Sequence, residues 1–344
     1  MKQLLAKLIS SNLRVIAAEV SVIAIVIAAI GVSISLGVSG SGRNPSPSGS
    51  TVTTSLSTTT KVPPTTISTT TSTTIPLTTT TTTPLAEPGG GLTLFPGKRI
   101  IAFYGAPGGG ALGILGQSSP QDAWTALMQQ VAQYAQPGVQ VIPAFELITY
   151  VAQHAPGPSG TYSQEISTQA IQQYLNVVQA HDGLLILDIQ PGRGGFLADA
   201  QTLAPFLKLP DVALGLDPEW EVSNTQVPGE VIGQTTATEI NQVSSWLQSL
   251  TTTYSLPQKL LLIHQFTQSM VQDKQNVLPQ PNLQLVFNMD GFGSWPGKVS
   301  SYHLLASDPR FGVGMKLFYQ QDKPLHPPSD VLALVPQPDV VEYQ

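Results

Sequence analysis

From Arg99 onward, apolar and polar positions alternate in blocks along the chain: short runs rich in Val, Ile, Leu and Phe are separated by amphipathic stretches. Continuous apolar runs of this kind are typical of parallel strands that are buried on both faces. Eight parallel strands alternating with helices predict an α/β fold, the (β/α)8 TIM-type barrel. The eight apolar runs are 99–104, 139–145, 183–189, 212–216, 259–264, 284–289, 312–319 and 340–343.

Two of the intervening helices have recognisable start signals. Ser119-Pro120-Gln121-Asp122 places a proline at the first helical position, and Thr236-Ala237-Thr238-Glu239 has the form of a capping box. Apolar residues then recur at helical spacing, which predicts faces packed against the sheet. These predicted core positions are Leu127, Val131 and Tyr134 in the first helix and Ile240, Val243, Trp246, Leu247 and Leu250 in the second.

The later units are predicted to be less regular. The segments after the fifth, sixth and seventh runs are short and rich in Pro, Gly and polar residues, and the chain stops directly after the eighth run. We therefore expect a barrel that is irregular in its last units and lacks its last helix. An incomplete barrel of six or seven strands, or an open doubly wound sheet, is the competing fold.

The N-terminal part of the chain has a different character. Residues 15–38 are almost wholly apolar and long enough to span a bilayer, which needs about 20 residues. Lys2, Lys7 and Arg14 precede this segment, so the positive-inside rule predicts a cytoplasmic tail at 1–14 and an extracellular C-terminal domain, in a single-pass protein of the cell membrane. The alternative is a cleaved signal peptide and a secreted protein, because Val38-Ser39-Gly40 offers small residues for cleavage.

Residues 39–91 consist mainly of Thr, Ser, Pro and Gly. Such a segment cannot bury enough apolar surface to offset the entropy of ordering, so it predicts a disordered linker. The remaining residues, 92–344, are predicted to form one TIM-barrel-like extracytoplasmic domain, since about 250 residues is a usual size for this barrel.

Composition narrows the choice of partners and chemistry. A net charge of −6 without an extended basic run does not favour nucleic acid as a partner. The absence of cysteine excludes thiolate nucleophiles and disulfides. Gly108 to Gly113 match the glycine pattern of dinucleotide-binding loops, but no acidic residue follows at the required distance, so we expect no bound cofactor. We expect a monomer.

The candidate chemistry lies where the apolar runs end, because TIM barrels carry their active sites at the C-terminal ends of the strands. Nearly every run ends in polar or acidic residues, several of which are carboxylates. Four carboxylate-bearing ends are more than is expected of strands that merely leave the core. The residues predicted to contact a substrate are Tyr104, Glu146, Asp188, Gln190, Trp220, His264, Asn288, Lys316 and Tyr319.

The strand end that most specifically indicates catalysis is Asp217-Pro218-Glu219-Trp220, which follows the fourth run. Residues two apart in extended chain face the same side, so Asp217 and Glu219 are expected to share the barrel mouth. Two carboxylates in one cleft cannot both ionise freely, and the raised pKa of one of them suits a general acid. Trp220 is suited to stack on a sugar. The alternative is a solvated polar loop.

Asp290 ends the sixth run and is followed by Gly291. Its side chain is predicted to lie at the same barrel mouth, as a third catalytic carboxylate. The alternative is that Asp290 and Gly291 only form a turn. His264 ends the fifth run, and with the surrounding carboxylates it would suit Ca²⁺, Mg²⁺ or Mn²⁺. We prefer a buried histidine that is bonded to a carboxylate, and therefore predict no resident metal.

Asp217-Pro218-Glu219 resembles the end of the acidic motif of chitinase-like (family 18) glycoside hydrolases, and Met289-Asp290 resembles a segment that those enzymes carry after their sixth strand. The resemblance implies that Glu219 is the proton donor and that Asp217 supports the substrate. The chain departs from the family pattern before Gly215, where two aspartates of the motif are absent, and no tyrosine precedes Asp290.

More broadly, the domain from Arg99 to the C-terminus resembles uncharacterised secreted or lipoprotein-type proteins of actinobacteria. The segments that carry this similarity are 101–105, 187–190 and 316–319. It implies a setting in the cell envelope and no particular activity.

These observations lead to three hypotheses. The first is a membrane-anchored glycoside hydrolase acting on envelope or extracellular polysaccharide, with Glu219 as general acid and Asp217 or Asp290 as nucleophile, base or electrostatic support. The second is a metal-dependent hydrolase that uses His264 and the carboxylates. The third is a non-catalytic barrel that binds glycan at the cell surface.

Overall fold

The computed structural model describes residues 85–344. The predicted tail at 1–14, the predicted membrane segment at 15–38 and most of the predicted linker at 39–91 lie outside these residues. Within 85–344, no helix combines the length and the hydrophobicity that crossing a bilayer requires.

Eight parallel strands close into a barrel in the order β1, β2, β4, β5, β7, β9, β10, β11, and β11 pairs again with β1. A short β3 extends the sheet by pairing antiparallel to the end of β2, and β6 and β8 form a separate parallel pair. The strand bounds are β1 (Lys98–Gly105), β2 (Gln140–Ala152), β3 (Ser163–Glu165), β4 (Leu184–Ile189), β5 (Val212–Leu216), β6 (Thr235–Thr236), β7 (Lys259–Gln265), β8 (Val271–Gln272), β9 (Leu283–Met289), β10 (Gly312–Leu317) and β11 (Val340–Tyr343).

Closure distinguishes this fold from the open-sheet alternative. Ile100 of β1 pairs with Ile142 of β2 on one side and with Val340 of β11 on the other, so β1 has no free edge. The prediction of a closed eight-stranded barrel is therefore confirmed, and the open doubly wound sheet is wrong. Each of the eight predicted runs corresponds to one barrel strand.

The helices cover the outside of the barrel. Ser119 accepts a hydrogen bond from the backbone of Asp122, and Thr236 does the same for Glu239, so both predicted caps are confirmed. The connection from β7 to β9 contains only short 3-10 turns and β8, as expected for an irregular later unit. The helix bounds are α1 (Pro120–Val131), α2 (Thr168–Ala180), α3 (Phe196–Thr202), α4 (Ala204–Leu207), α5 (Ala237–Tyr254), α6 (Trp295–Leu305) and α7 (Pro328–Leu332).

Successive side chains of a strand point to opposite faces, so the protein has two hydrophobic cores, one between the barrel and the helices and one inside the barrel. Ile101 and Phe103 of β1 face outward and pack beneath the helices, whereas Ile100 and Ala102 face into the barrel. The lower half of the interior, toward the N-terminal ends of the strands, is filled by aliphatic side chains, and Leu94 packs against it from the segment before β1. The interior-facing members of this lower layer are Ile100, Ala102, Ile142, Ala144, Leu184, Ile186, Ala213, Leu260, Leu262, Val286 and Val340.

Candidate active site

Above the aliphatic layer, the same inward-facing positions carry polar and charged side chains. Every second residue of a strand faces the barrel interior. The next inward-facing positions after Ala144, Ile186 and Leu262 are therefore the first polar interior residues of β2, β4 and β7. These side chains are 0–1% exposed, so they lie inside the barrel and not at its rim. We call this set the upper layer: Glu146, Asp188, His264, Asn288, Lys316 and Glu342.

His264 lies between two carboxylates within this region. Its Nε2 is 2.8 Å from Glu146 Oε1, and its Nδ1 is 2.9 Å from Asp290 Oδ2. Burial and the Lys316 charge would lower the pKa of His264, but Glu146 and Asp290 reverse this and raise it well above its usual range. The raised pKa of His264 favours the imidazolium, and its ring bridges the carboxyl groups of Glu146 and Asp290.

Lys316 supplies the second cation. Its Nζ lies 3.2 Å from Asp290 Oδ2 and 3.3 Å from the centre of the Tyr104 ring. Burial alone would raise the pKa of Asp290, but Lys316 and His264 together hold it well below the ordinary aspartate value. Asp290 is thus a firmly anionic carboxylate.

A second network joins the ends of β1, β4 and β5. The Tyr104 hydroxyl lies 3.3 Å from Asp188 Oδ2 and 3.2 Å from Asp217 Oδ2, to which it donates. Gln190 Nε2 donates to the Tyr104 oxygen at 3.1 Å. Burial, reinforced by the charge of its neighbour, raises the pKa of Asp188 well above its usual range, and burial raises that of Asp217 to about 6. At neutral pH the raised pKa of Asp188 favours its protonated form, whereas Asp217, with a pKa of about 6, is mostly ionised.

Glu219 lies in a 3-10 turn, Pro218–Trp220, directly after β5. Its carbonyl accepts a hydrogen bond from Gly233 at 2.6 Å, which ties the turn to the returning chain. Burial, together with the charges of Asp217 and Asp290, raises the pKa of Glu219 well above the ordinary glutamate value. The raised pKa favours the protonated acid. Glu219 is only partly buried and lines the cavity, so a ligand can reach it.

A cavity of about 470 Å³ opens at this end of the barrel. Glu219 and Asp290 both line it, so the two carboxyl groups of opposite protonation state share one chamber. Its walls include further polar residues and several aromatic rings. Those predicted from the sequence are Tyr104, Gln190, Glu219, Trp220, Asp290 and Lys316.

The other predicted residues are placed differently. Asp217 is 1% exposed and lies behind the cavity wall, within reach of Tyr104 and Gln190. Tyr319 lies apart from the cavity: its ring centre is 5.4 Å from that of Tyr343, on the outer side of the sheet. The predicted residues that are fully buried and do not line the cavity are Glu146, Asp188, His264 and Asn288.

Glu342 was not predicted from the sequence. It accepts a hydrogen bond from Asn288 Nδ2, and its carboxylate lies 4.0 Å from Lys316 Nζ. The signal was present, because a glutamate within the apolar run Val340–Tyr343 is costly to bury unless it is paired. Several aromatic lining residues were also missed: Phe266, Phe292 and Phe318.

Glu146, His264 and Glu342 offer ligand atoms that lie within 4.8 Å of one another. Glu146 Oε2 and Glu342 Oε1 are buried without a hydrogen-bond partner, which suits a cation. His264 does not suit one: both ring nitrogens already approach carboxylates, and its raised pKa favours the imidazolium, whereas a metal needs a neutral ring. The donor set therefore fits a resident metal poorly.

Comparison with known proteins adds little to this picture. No protein-family model matches the chain, and no curated protein matches it. Among solved structures, the chain is similar to wild-type Plasmodium falciparum HPPK-DHPS with pteroate, at a TM-score of 0.28 and 8% sequence identity. The match covers 71% of this chain and 44% of the other, so the chain spans less than half of that protein.

Proposed function

We propose that the barrel hydrolyses a glycosidic bond by carboxylate acid–base catalysis. The observation that supports this proposal is the pairing, in one cavity, of a glutamic acid whose pKa is raised and an aspartate whose pKa is lowered. Glycoside hydrolysis requires that combination: a proton donor for the leaving oxygen and an anion on the other side of the anomeric carbon.

The roles of the two residues follow from their protonation states. Glu219 donates its proton to the glycosidic oxygen as the bond to the anomeric carbon breaks, and the alcohol leaves. Asp290, held anionic by Lys316 and His264, stabilises the positive charge that develops on the sugar, as nucleophile or as base for water. Water supplies the hydroxyl group of the product, and its other proton restores the pair. Of the two sequence candidates for the anionic role, Asp290 is favoured over Asp217, which lies behind the wall.

The finer expectations from the sequence belong to the same proposal. The resemblance to family 18 glycoside hydrolases agrees with Glu219 as acid, and the resemblance to actinobacterial envelope proteins suggests a glycan of the envelope or the extracellular medium as substrate. The segment 15–38 would anchor a monomeric domain to the membrane, and 39–91 would give it reach.

The test is sugar release from a panel of envelope and extracellular glycans by the 85–344 domain, once its folding has been checked, and by the full chain. We expect Glu219→Gln and Asp290→Asn each to lower kcat by about 10²–10⁴-fold, the range for loss of a general acid or base. Glu165→Gln and Asp273→Asn make the same chemical changes on the exposed surface and should leave activity unchanged.

Three results would count against the proposal. Equal activity of wild type and Glu219→Gln would remove the acid from the mechanism. Activity that chelators abolish and a stoichiometric divalent metal restores would favour a metal-dependent hydrolase. Glycan binding without any product, unchanged in Glu219→Gln, would favour a non-catalytic binding barrel.

A further inference from the structure

The two sides of the cavity differ in chemistry. One side is aliphatic and comes from the chain that follows β1 and from the end of β2. β2 runs well beyond the upper layer, and its pairing with β4 shifts between Ile148 and Tyr150, a bulge that re-aims the last residues of the strand. We call this side the aliphatic wall: Ala111, Leu112, Ile148, Val151, Ala152 and Ala155.

The other side carries the reactive groups. Asp290 follows β9 and Lys316 lies near the end of β10, and both line the cavity together with aromatic side chains that follow β5, β7, β9 and β10. In the closed strand order, β9 is four places from β2 in a barrel of eight, so the two strands lie opposite each other. Aromatic faces beside carboxylates suit a sugar ring, which has apolar faces and polar edges. The rings are Trp220, Phe266, Phe292 and Phe318.

The chain segment that carries the proton donor reaches both sides of the cavity. The segment that carries Glu219 continues to Pro228, which also lines the cavity, and then to Glu230. Glu230 Oε1 is 3.8 Å from Nε2 of His154, which follows β2 and lines the cavity next to the aliphatic wall. The chain that bears Glu219 thus adjoins the aliphatic wall on one side and Trp220 on the other.

We infer that the substrate is a glycoside whose aglycone is apolar, with the sugar on the aromatic side and the alkyl or aryl group of the leaving alcohol against the aliphatic wall. This inference rests on the proposed function and narrows its substrate class. In the reaction, Glu219 gives its proton to the oxygen that joins the two parts, that oxygen leaves with the apolar alcohol, and water adds to the anomeric carbon. Transfer of the aglycone from water to aliphatic surface provides binding free energy.

The experiment measures kcat/KM for methyl, ethyl, propyl and butyl glycosides of glucose, galactose and mannose in both anomers. Each methylene that reaches the wall should raise kcat/KM by about two- to fourfold, so that butyl, with three more methylenes, exceeds methyl by at least about eightfold. The dissociation constants of the same series for Glu219→Gln, measured by calorimetry, should fall in parallel.

Leu112→Ser and Val151→Ser test the wall directly, because both side chains are partly exposed and tolerate replacement better than the buried Ile148. We expect each to lower the butyl-to-methyl ratio by at least about threefold, the effect of removing a methyl-sized contact or more. Leu278→Ser, a matched change at a side chain that is 56% exposed, should leave the ratio unchanged.

The outcomes separate this inference from the function on which it rests. Hydrolysis with equal kcat/KM for all four alkyl groups on a given sugar overturns the apolar aglycone and leaves the proposed hydrolase function intact. Absence of hydrolysis, with dissociation constants that still fall along the series, removes the proposed function but supports the apolar subsite. Dissociation constants that are equal along the series, or a Leu278→Ser effect equal to that of Leu112→Ser, contradict the aliphatic wall.

Discussion

The lower and upper halves of the barrel interior have the same backbone and different chemistry. In the lower half, Ile186 of β4 and Leu262 of β7 point inward and fill the space between the strands with aliphatic carbon. Two residues further along, the same strands present Asp188 and His264. The lower half closes the barrel through close packing, whereas the upper half is held by charges that compensate one another. One strand thus serves stability at one end and chemistry at the other.

Glycines show how the upper layer accommodates its charges. A Cβ at Gly215 would lie 2.9 Å from both Asp188 Oδ1 and Glu146 Oε1. Gly314 faces the Asn288 side chain in the same way. Neither position has an unusual backbone angle, so a glycine is needed there for space and not for conformation.

The largest expected effect tests the role of the lower half. Leu262→Ala should lower the free energy of unfolding by about 2–5 kcal/mol, because it removes buried aliphatic volume that its neighbours cannot refill. Urea unfolding at pH 5, 6, 7 and 8 measures this. We expect the loss to be the same at each pH, and a loss that varies with pH would mean that the lower half is coupled to the charges above it.

Gly215→Ala tests the upper half with the smallest possible addition. The new methyl group must displace the Glu146 or Asp188 carboxylate, at a cost of about 1–3 kcal/mol in unfolding free energy. Activity should fall as well, because Glu146 holds His264 and His264 holds Asp290. Thermal unfolding and kcat give the two readouts. Full stability in this variant would contradict the close packing of the upper layer.

The smallest effect concerns charge alone. Lys316→Met keeps the approximate length of the side chain and removes a cation from beside Asp290, so the pKa of Asp290 should rise. A carboxylate with a depressed pKa contributes stability above its unfolded pKa of about 3.9, and this contribution is lost as the pH falls through its folded pKa. In Lys316→Met the acid limb of kcat/KM should therefore move to higher pH, and the contribution of Asp290 to stability should shrink.

The exposed Lys323→Met serves as the control for this variant, since it changes the net charge of the protein equally. The alkaline limb should report Glu219, whose raised pKa means that activity is lost as the pH rises through it. An acid limb that stays in place in Lys316→Met would show that Lys316 does not hold Asp290 anionic.

Much of the fold was predictable because its signals are local. The eight apolar runs, the Ser119 and Thr236 caps and the buried face of α5 each depend on residues a few positions apart. The polar strand ends were also visible in the sequence, and six of the predicted residues line the cavity. The sequence did not show that Tyr319 lies outside the cavity. The position of its side chain depends on the path of the chain after β10 and on packing against Tyr343.

By itself, the sequence determined where the eight barrel strands and two of the helices form, which strand ends carry carboxylates, and that Glu219 is an acid candidate. Only the tertiary structure decided which carboxylate is anionic and which is protonated. The reason is that a pKa depends on neighbours in space: Glu146 and His264 are 118 residues apart in the chain and 2.8 Å apart in the barrel. Closure of β1 onto β11 brings the Tyr104 ring within 3.3 Å of Lys316 Nζ, in an interior whose low dielectric strengthens the interactions between charges.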